Sequence, residues 1–174
     1  MIQQKIILTK DECNQIIDLV NHNDFTQSST TNSLGETSIS DFRTSNDVVF
    51  NTTGFLENLL LPKLKPFGIK SLPKTAVLIR YDIGQEFKMH TDSGGIYGHR
   101  KKSISIQLSE EDDYTGGHMV VWGPEIEILF DKTIGNMILF NSEKHHQVFP
   151  IFSGTRYSLV MWFSIENLST DNLI

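Results

Sequence analysis

The chain has 174 residues, 39% apolar and 21% charged, as expected of one globular domain large enough to bury a core. Its net charge of −6 argues against nonspecific nucleic-acid or anionic-membrane binding, and a single cysteine, Cys13, excludes an internal disulfide and a cysteine-based zinc cluster. No apolar run reaches the roughly 18–20 residues that span a bilayer, and the opening Met-Ile-Gln-Gln-Lys-Ile-Ile-Leu lacks the features of a signal peptide, so the expectation is a soluble, reduced, cytoplasmic protein.

In chain order, Thr9-Lys10-Asp11-Glu12 has capping-box form, and Cys13, Ile16, Ile17 and Val20 follow at helical spacing. The stretch 21–40 is rich in Ser, Thr and Asn and reads as one long loop, which in a compact domain is mobile or functional. A second helix is expected from Gly54 on, with Phe55, Leu56, Leu59, Leu60 and Leu64 on its apolar face and Pro62 shortening or kinking it. After Lys70 short apolar runs alternate with turn residues, which predicts strands near 75–81, 102–108, 118–122, 126–130, 136–140 and 155–165. Many short strands with no helix-length connection point to an antiparallel sandwich or jelly roll. The expected organisation is a single domain over 1–174, helical and loop-like over 1–70, with a strand-rich core over 71–166. The fold class is thus mainly β with flanking N-terminal helices.

Of the six histidines, five lie between positions 90 and 146. His90-Thr91-Asp92 is a His-x-Asp, and in an extended segment residues two apart face the same way. A third ligand must come from elsewhere, and His145 and His146 sit just after a predicted strand. Two imidazoles and one carboxylate on one face of a metal leave three positions open, the facial triad of non-haem Fe(II) oxygenases. A lone His-x-Asp is weak evidence, since most such pairs are surface groups. In the last strand Arg156 and Ser158 alternate onto one face with Val160 and Trp162. An arginine buried there needs an anion. Either a carboxylate-bearing ligand held by Arg156 and Ser158 or a cross-strand carboxylate would serve.

These residues together carry a family resemblance. The segments Tyr81-Asp82-Ile83-Gly84-Gln85-Glu86-Phe87-Lys88-Met89-His90-Thr91-Asp92-Ser93, Tyr114-Thr115-Gly116-Gly117-His118, His146-Gln147-Val148-Phe149-Pro150 and Gly154-Thr155-Arg156-Tyr157-Ser158 resemble the 2-oxoglutarate- and Fe(II)-dependent dioxygenases, prolyl 4-hydroxylase-like branch. Arg43-Thr44-Ser45 also looks like a segment of that branch. The resemblance implies a double-stranded β-helix, the jelly-roll barrel. It implies Fe(II) on His90, Asp92 and His146, with His146 preferred to His145 because x-Val-x-Pro and then Arg156 follow it. It places Arg156 on the distal carboxylate of 2-oxoglutarate, helped by Ser158, with Tyr81 near the cosubstrate and Trp162 close to the iron. O2 is the second cosubstrate, and ascorbate is an auxiliary the family admits. An aspartate at position 92 points to hydroxylation and away from the related halogenases, which carry a small residue there.

Other features keep two readings at this stage. Ser103, Ser105 and Gln107 alternate against Ile104, Ile106 and Leu108, so the polar set faces either water or the cosubstrate, with Gln107 the chosen contact. His99, Arg100, Lys101 and Lys102 form either a solvated turn or an attractor for an acidic peptide or phosphate. The stretches 23–40 and 93–100 are lids or plain surface loops, and Trp122 is expected in the core. The resemblance implies hydroxylation of a prolyl residue in a peptide or protein. The alternatives are hydroxylation of a free amino acid or other small molecule, or a non-enzymatic jelly-roll binding module. No nucleic-acid and no membrane partner is expected.

Overall fold

The computed structural model describes residues 2–32, 34–123 and 126–169. The capping box forms as its residues dictate: Thr9 N donates to Glu12 Oε2 (2.8 Å), and Glu12 N donates to Thr9 Oγ1 (3.3 Å). The helix it starts, α1 (Lys10–Ile17), buries Cys13 and Ile16. The second helix, α2 (Phe55–Leu64), buries Leu56, Leu60 and Leu64. It runs through Pro62 for two more residues and then tightens into a 3-10 turn over Lys65–Phe67, so the proline falls in the last helical turn. Glu12 pairs with Lys63 at 2.9 Å and ties the two helices together.

The strands are β1 (Ile2–Ile6), β2 (Thr26–Gln27), β3 (Thr30–Thr31), β4 (Thr37–Ser38), β5 (Asn46–Asn51), β6 (Thr75–Tyr81), β7 (Phe87–His90) and β8 (Lys102–Gln107). They continue as β9 (Tyr114–Gly116), β10 (Met119–Trp122), β11 (Glu127–Leu129), β12 (Asn136–Asn141), β13 (His146–Val148), β14 (Ile151–Gly154) and β15 (Arg156–Phe163). Seven of them form the major sheet in the order β1-β12-β8-β15-β6-β5-β2, and four form the minor sheet in the order β11-β10-β13-β7. All pairings in both sheets are antiparallel. The two sheets pack face to face, with Val77, Ile79, Ile138 and Phe140 of the major sheet against Met119, Val121 and Val148 of the minor one. This layout is consistent with a jelly roll.

Strict alternation divides the major sheet. Ala76, Leu78, Ile104, Ile106, Met137, Leu139, Leu159, Met161 and Phe163 face the helices and bury a dry core with Cys13, Ile16, Leu56, Leu60 and Leu64. The alternate residues face the minor sheet. The first 70 residues differ from the helix-and-loop expectation, because β1, β2 and β5 all belong to the major sheet. The polar stretch 21–40 likewise holds β2 and the two-strand hairpin β3–β4. Trp122 is half-buried at the sheet margin rather than in the core, with its Nε1 donating to Glu127 (2.9 Å). Among the described residues, no helix is long and apolar enough to cross a membrane.

Candidate active site

Two short strands bring the histidines together. β13 pairs with β7 so that His146 stands directly opposite His90, and their ring centroids are 4.1 Å apart. Asp92 lies just past the end of β7, and its backbone N–H donates to Ser142 O (2.9 Å). That loop bond, rather than strand alternation, delivers the carboxylate. His146 Nε2 lies 3.4 Å from Asp92 Oδ2, and His90 Nε2 lies 3.8 Å from Asp92 Oδ1. The three ligand atoms all fall within 4.8 Å of one another. His145 is exposed, as the alternation between neighbours requires.

The ring tautomers are set locally. His90 Nδ1–H donates to Lys88 O (2.7 Å) and His146 Nδ1–H to Lys144 O (3.0 Å), which leaves both Nε2 lone pairs facing Asp92. Burial, then the neighbouring His146, push the His90 imidazole down to about 3. Burial opposes the Asp92 charge, but His146 outweighs it and holds that carboxyl below the usual carboxylate range. Burial opposes charge on His146 as well, but Asp92 outweighs it and raises that pKa. One anionic oxygen and two imidazole nitrogens, with no thiolate, suit a divalent iron that keeps open positions.

Beside the triad lies a cavity between the sheets, lined among others by Tyr81, His90, Asp92, His146, Arg156 and Ser158. Arg156 is 1% exposed, and its Nη1 and Nη2 have no hydrogen-bond partner. The cross-strand carboxylate offered as an alternative is absent, since among the described residues no ion pair reaches Arg156. A buried guanidinium left this way costs several kcal/mol. A dicarboxylate in the cavity offsets that cost, so the residues fit 2-oxoglutarate as well as iron.

Ser103 and Ser105 line this cavity and are buried, so of the two readings for their face the one that has it meet water falls. Gln107 is fully buried behind Arg156: its Oε1 accepts from Arg156 Nε (3.1 Å), and its Nε2 donates to Tyr114 Oη and Ser109 O (3.0 Å each). With those three bonds it orients the arginine rather than facing the cavity. Gly117 has φ +61°, which a residue with a side chain rarely adopts, and a Cβ there would crowd Ile151 Cδ1 and the Tyr114 ring beside Arg156.

A second, more open pocket adjoins the first, and Arg43, Phe87, His90, Asp92 and Trp162 line both. The sequence reading gave Arg43 no individual role here, and Arg100 only a place in a basic cluster that is either a solvated turn or an attractor for an acidic peptide or phosphate. Arg43 donates from Nε to Ser45 (3.1 Å), from Nη1 to Ser29 O (3.4 Å) and from Nη2 to Asp47 (2.8 Å), and it lies over the Phe87 ring. Its place in Arg43-Thr44-Ser45 was the one available signal. The two lid candidates meet at this pocket, where Tyr97 Oη donates to Thr31 Oγ1 (3.0 Å).

A jelly-roll protein with a two-histidine, one-carboxylate cluster beside an unpaired buried guanidinium is thereby defined. The profile of the 2OG-Fe(II) oxygenase superfamily matches residues 76–164, just over half of the chain, and the chain belongs to that superfamily. A PKHD-type hydroxylase from Prochlorococcus marinus is 27% identical over 121 residues, covering 68% of this chain and 55% of the relative. The chain thus spans about half the length of that curated relative. A prolyl hydroxylase of Trichoplax adhaerens, solved with a peptide fragment of the hypoxia-inducible factor oxygen degradation domain, superposes with a TM-score of 0.76 at 15% identity, covering 95% of this chain and 84% of that one. A Pseudomonas putida prolyl-4-hydroxylase gives 0.71 at 16% identity, covering 94% and 91%. At such identities the structural likeness speaks for the fold.

Proposed function

We propose that this chain is a 2-oxoglutarate- and Fe(II)-dependent hydroxylase whose substrate is a prolyl residue in a peptide or protein. One observation carries the reading: the His90–Asp92–His146 cluster and the unpaired guanidinium of Arg156 line the same cavity. When bound, iron with 2-oxoglutarate and O2 supplies the power to turn a C–H into a C–OH, releasing succinate and CO2.

The chain supplies position and charge. His90 and His146 present Nε2, Asp92 presents a carboxylate, and the Lys88 and Lys144 carbonyls hold the rings in the binding tautomer. Arg156 and Ser158 hold the distal carboxylate of 2-oxoglutarate, with Gln107 fixing the plane of the guanidinium and Tyr81 closing the same end. Ile79, Phe140 and Val160 line the cavity with apolar surface and keep water from the reacting groups. The peptide-bound relative from Trichoplax adhaerens supports a peptide substrate.

The test is to incubate the iron-loaded protein with 2-oxoglutarate and a library of proline-containing peptides. Succinate release that depends on both iron and 2-oxoglutarate, with products heavier by about 16 Da, one oxygen atom, is expected. A non-enzymatic binding module would release no succinate.

A further inference from the structure

We propose that Arg100 is a substrate-binding residue, and that the substrate carries a carboxylate close to the C–H that reacts. The inference rests on the hydroxylase reading above and adds the chemistry of the group recognised.

The first observation is placement. The Arg100 guanidinium is sandwiched between two rings, 3.9 Å from the Tyr97 centroid and 4.0 Å from the Trp162 centroid. All three residues line the outer pocket, the space that meets the inner cavity at His90 and Asp92. Stacking of this kind fixes the plane of a guanidinium and leaves its N–H edge directed outward. It makes the group ready for a planar acceptor without further ordering.

The second observation is charge. Arg43, the other cation in the outer pocket, is neutralised by Asp47 at 2.8 Å. Iron and Arg156 together contribute three positive charges, and Asp92 and the 2-oxoglutarate dianion contribute three negative ones. Arg100 remains. Among the described residues no carboxylate lies within ion-pair distance of it, and its one side-chain hydrogen bond is a long one, from Nη1 to Asp92 O (3.4 Å). A half-buried cation with open donors, facing a pocket beside the reacting centre, calls for an anion.

The third observation concerns donors. Trp162 Nε1 is buried with no partner, and its indole lines both spaces. The threonine hydroxyls of the outer wall are already engaged, Thr30 on Ser38 O, Thr91 on Ser93 O and Thr31 on Thr37 and Tyr97, so the donors left for carboxylate oxygens are the Arg100 guanidinium and Trp162 Nε1. That carboxylate has two sources: the α-carboxylate of a free amino acid, or an acidic residue or C-terminus next to the reacting residue of a peptide.

The experiment uses the iron-loaded full chain and pairs of probes that differ only as acid and amide. One arm compares the twenty free L-amino acids with their carboxamides. The other compares capped peptides bearing Asp or Glu beside a proline with their Asn or Gln counterparts. Substrate-stimulated succinate release and product mass are read, and binding to the zinc-substituted protein is measured in parallel by ligand-observed NMR. The acid members are expected to bind and react with a KM lower by about tenfold or more. A response confined to the first arm assigns the α-carboxylate, and one confined to the second assigns the peptide acid. Arg100→Gln is expected to bring the acid-to-amide ratio towards one, and Arg100→Lys to keep part of it. A purely structural clamp between Tyr97 and Trp162 would lower stability without changing that ratio. Equal use of acid and amide, or no stimulation by either arm while uncoupled succinate release persists, overturns the proposal and leaves the hydroxylase reading intact. No iron- and 2-oxoglutarate-dependent succinate under any condition overturns the hydroxylase reading itself.

Discussion

The two faces of the major sheet are made by the same strands and do opposite work. On the helix side, Leu78, Ile104, Leu159 and Met161 are fully buried among apolar neighbours. On the inner side, one residue away along each strand, stand Ile79, Ser103, Ser105, Ser158 and Arg156. The first face drives folding by removing apolar surface from water. The second holds polar groups, one of them a guanidinium with two unpaired nitrogens, whose burial opposes folding. Stability and chemistry are thus separated by the pleat of the sheet, a distance smaller than a side chain.

Substitutions on the two faces should therefore separate activity from stability. The largest effect is expected from His146→Ala or Asp92→Ala: stoichiometric iron and turnover are lost while circular dichroism stays native. Normal turnover in either variant would remove the triad assignment. On the helix face, Leu159→Ala should lower unfolding free energy by about 2–5 kcal/mol in urea titrations, through the cavity it leaves. On the inner face, Arg156→Met should reverse the pattern. The KM for 2-oxoglutarate should rise about tenfold or more, and stability should hold or increase by about 1–4 kcal/mol, as when a buried charge yields to an apolar side chain. A large loss of stability in that variant would mean that the bond from Arg156 Nε to Gln107 outweighs the cost of the buried charge. The smallest effect belongs to the capping box, where Thr9→Ala should cost about 1 kcal/mol. The Thr9 backbone N–H, and Lys63 beyond it, hold the Glu12 carboxyl below its ordinary value, against the burial that raises it. A depressed carboxylate pKa stabilises the fold above the unfolded value and loses that contribution as pH falls through the folded one. Glu12→Gln should then flatten the acid limb of thermal melts below pH 5, by the usual carboxylate range.

The long strands were legible as apolar runs bounded by turn residues, because Thr75–Tyr81 and Arg156–Phe163 pack side chains on both faces, and the predicted 75–81 and 155–165 match them closely. β7 and β13, the strands that carry the histidines, have four and three residues, too few for a period to register. The triad was nonetheless visible as residue types at a spacing. The means of placing Asp92, a bond to the carbonyl of Ser142 far along the chain, was not visible. Alternation also does not distinguish a wall of an internal cavity from a wet surface, which is why Ser103 and Ser105 kept both readings until the structure placed them on the cavity wall. Arg100 was visible only as part of a basic run, since its stacking depends on Trp162, a strand residue remote in sequence.

The cross-strand rung of His90 and His146 has a consequence for how the protein is assembled. The ladder that holds it is only three to four residues long and changes register within that span. Such a short seam opens easily, so a ferrous ion gripping both sides would act as its clasp. Iron affinity then reports how completely the minor sheet has zipped, and amide exchange in β7 and β13 should slow on loading while the helix-backed strands stay as they were.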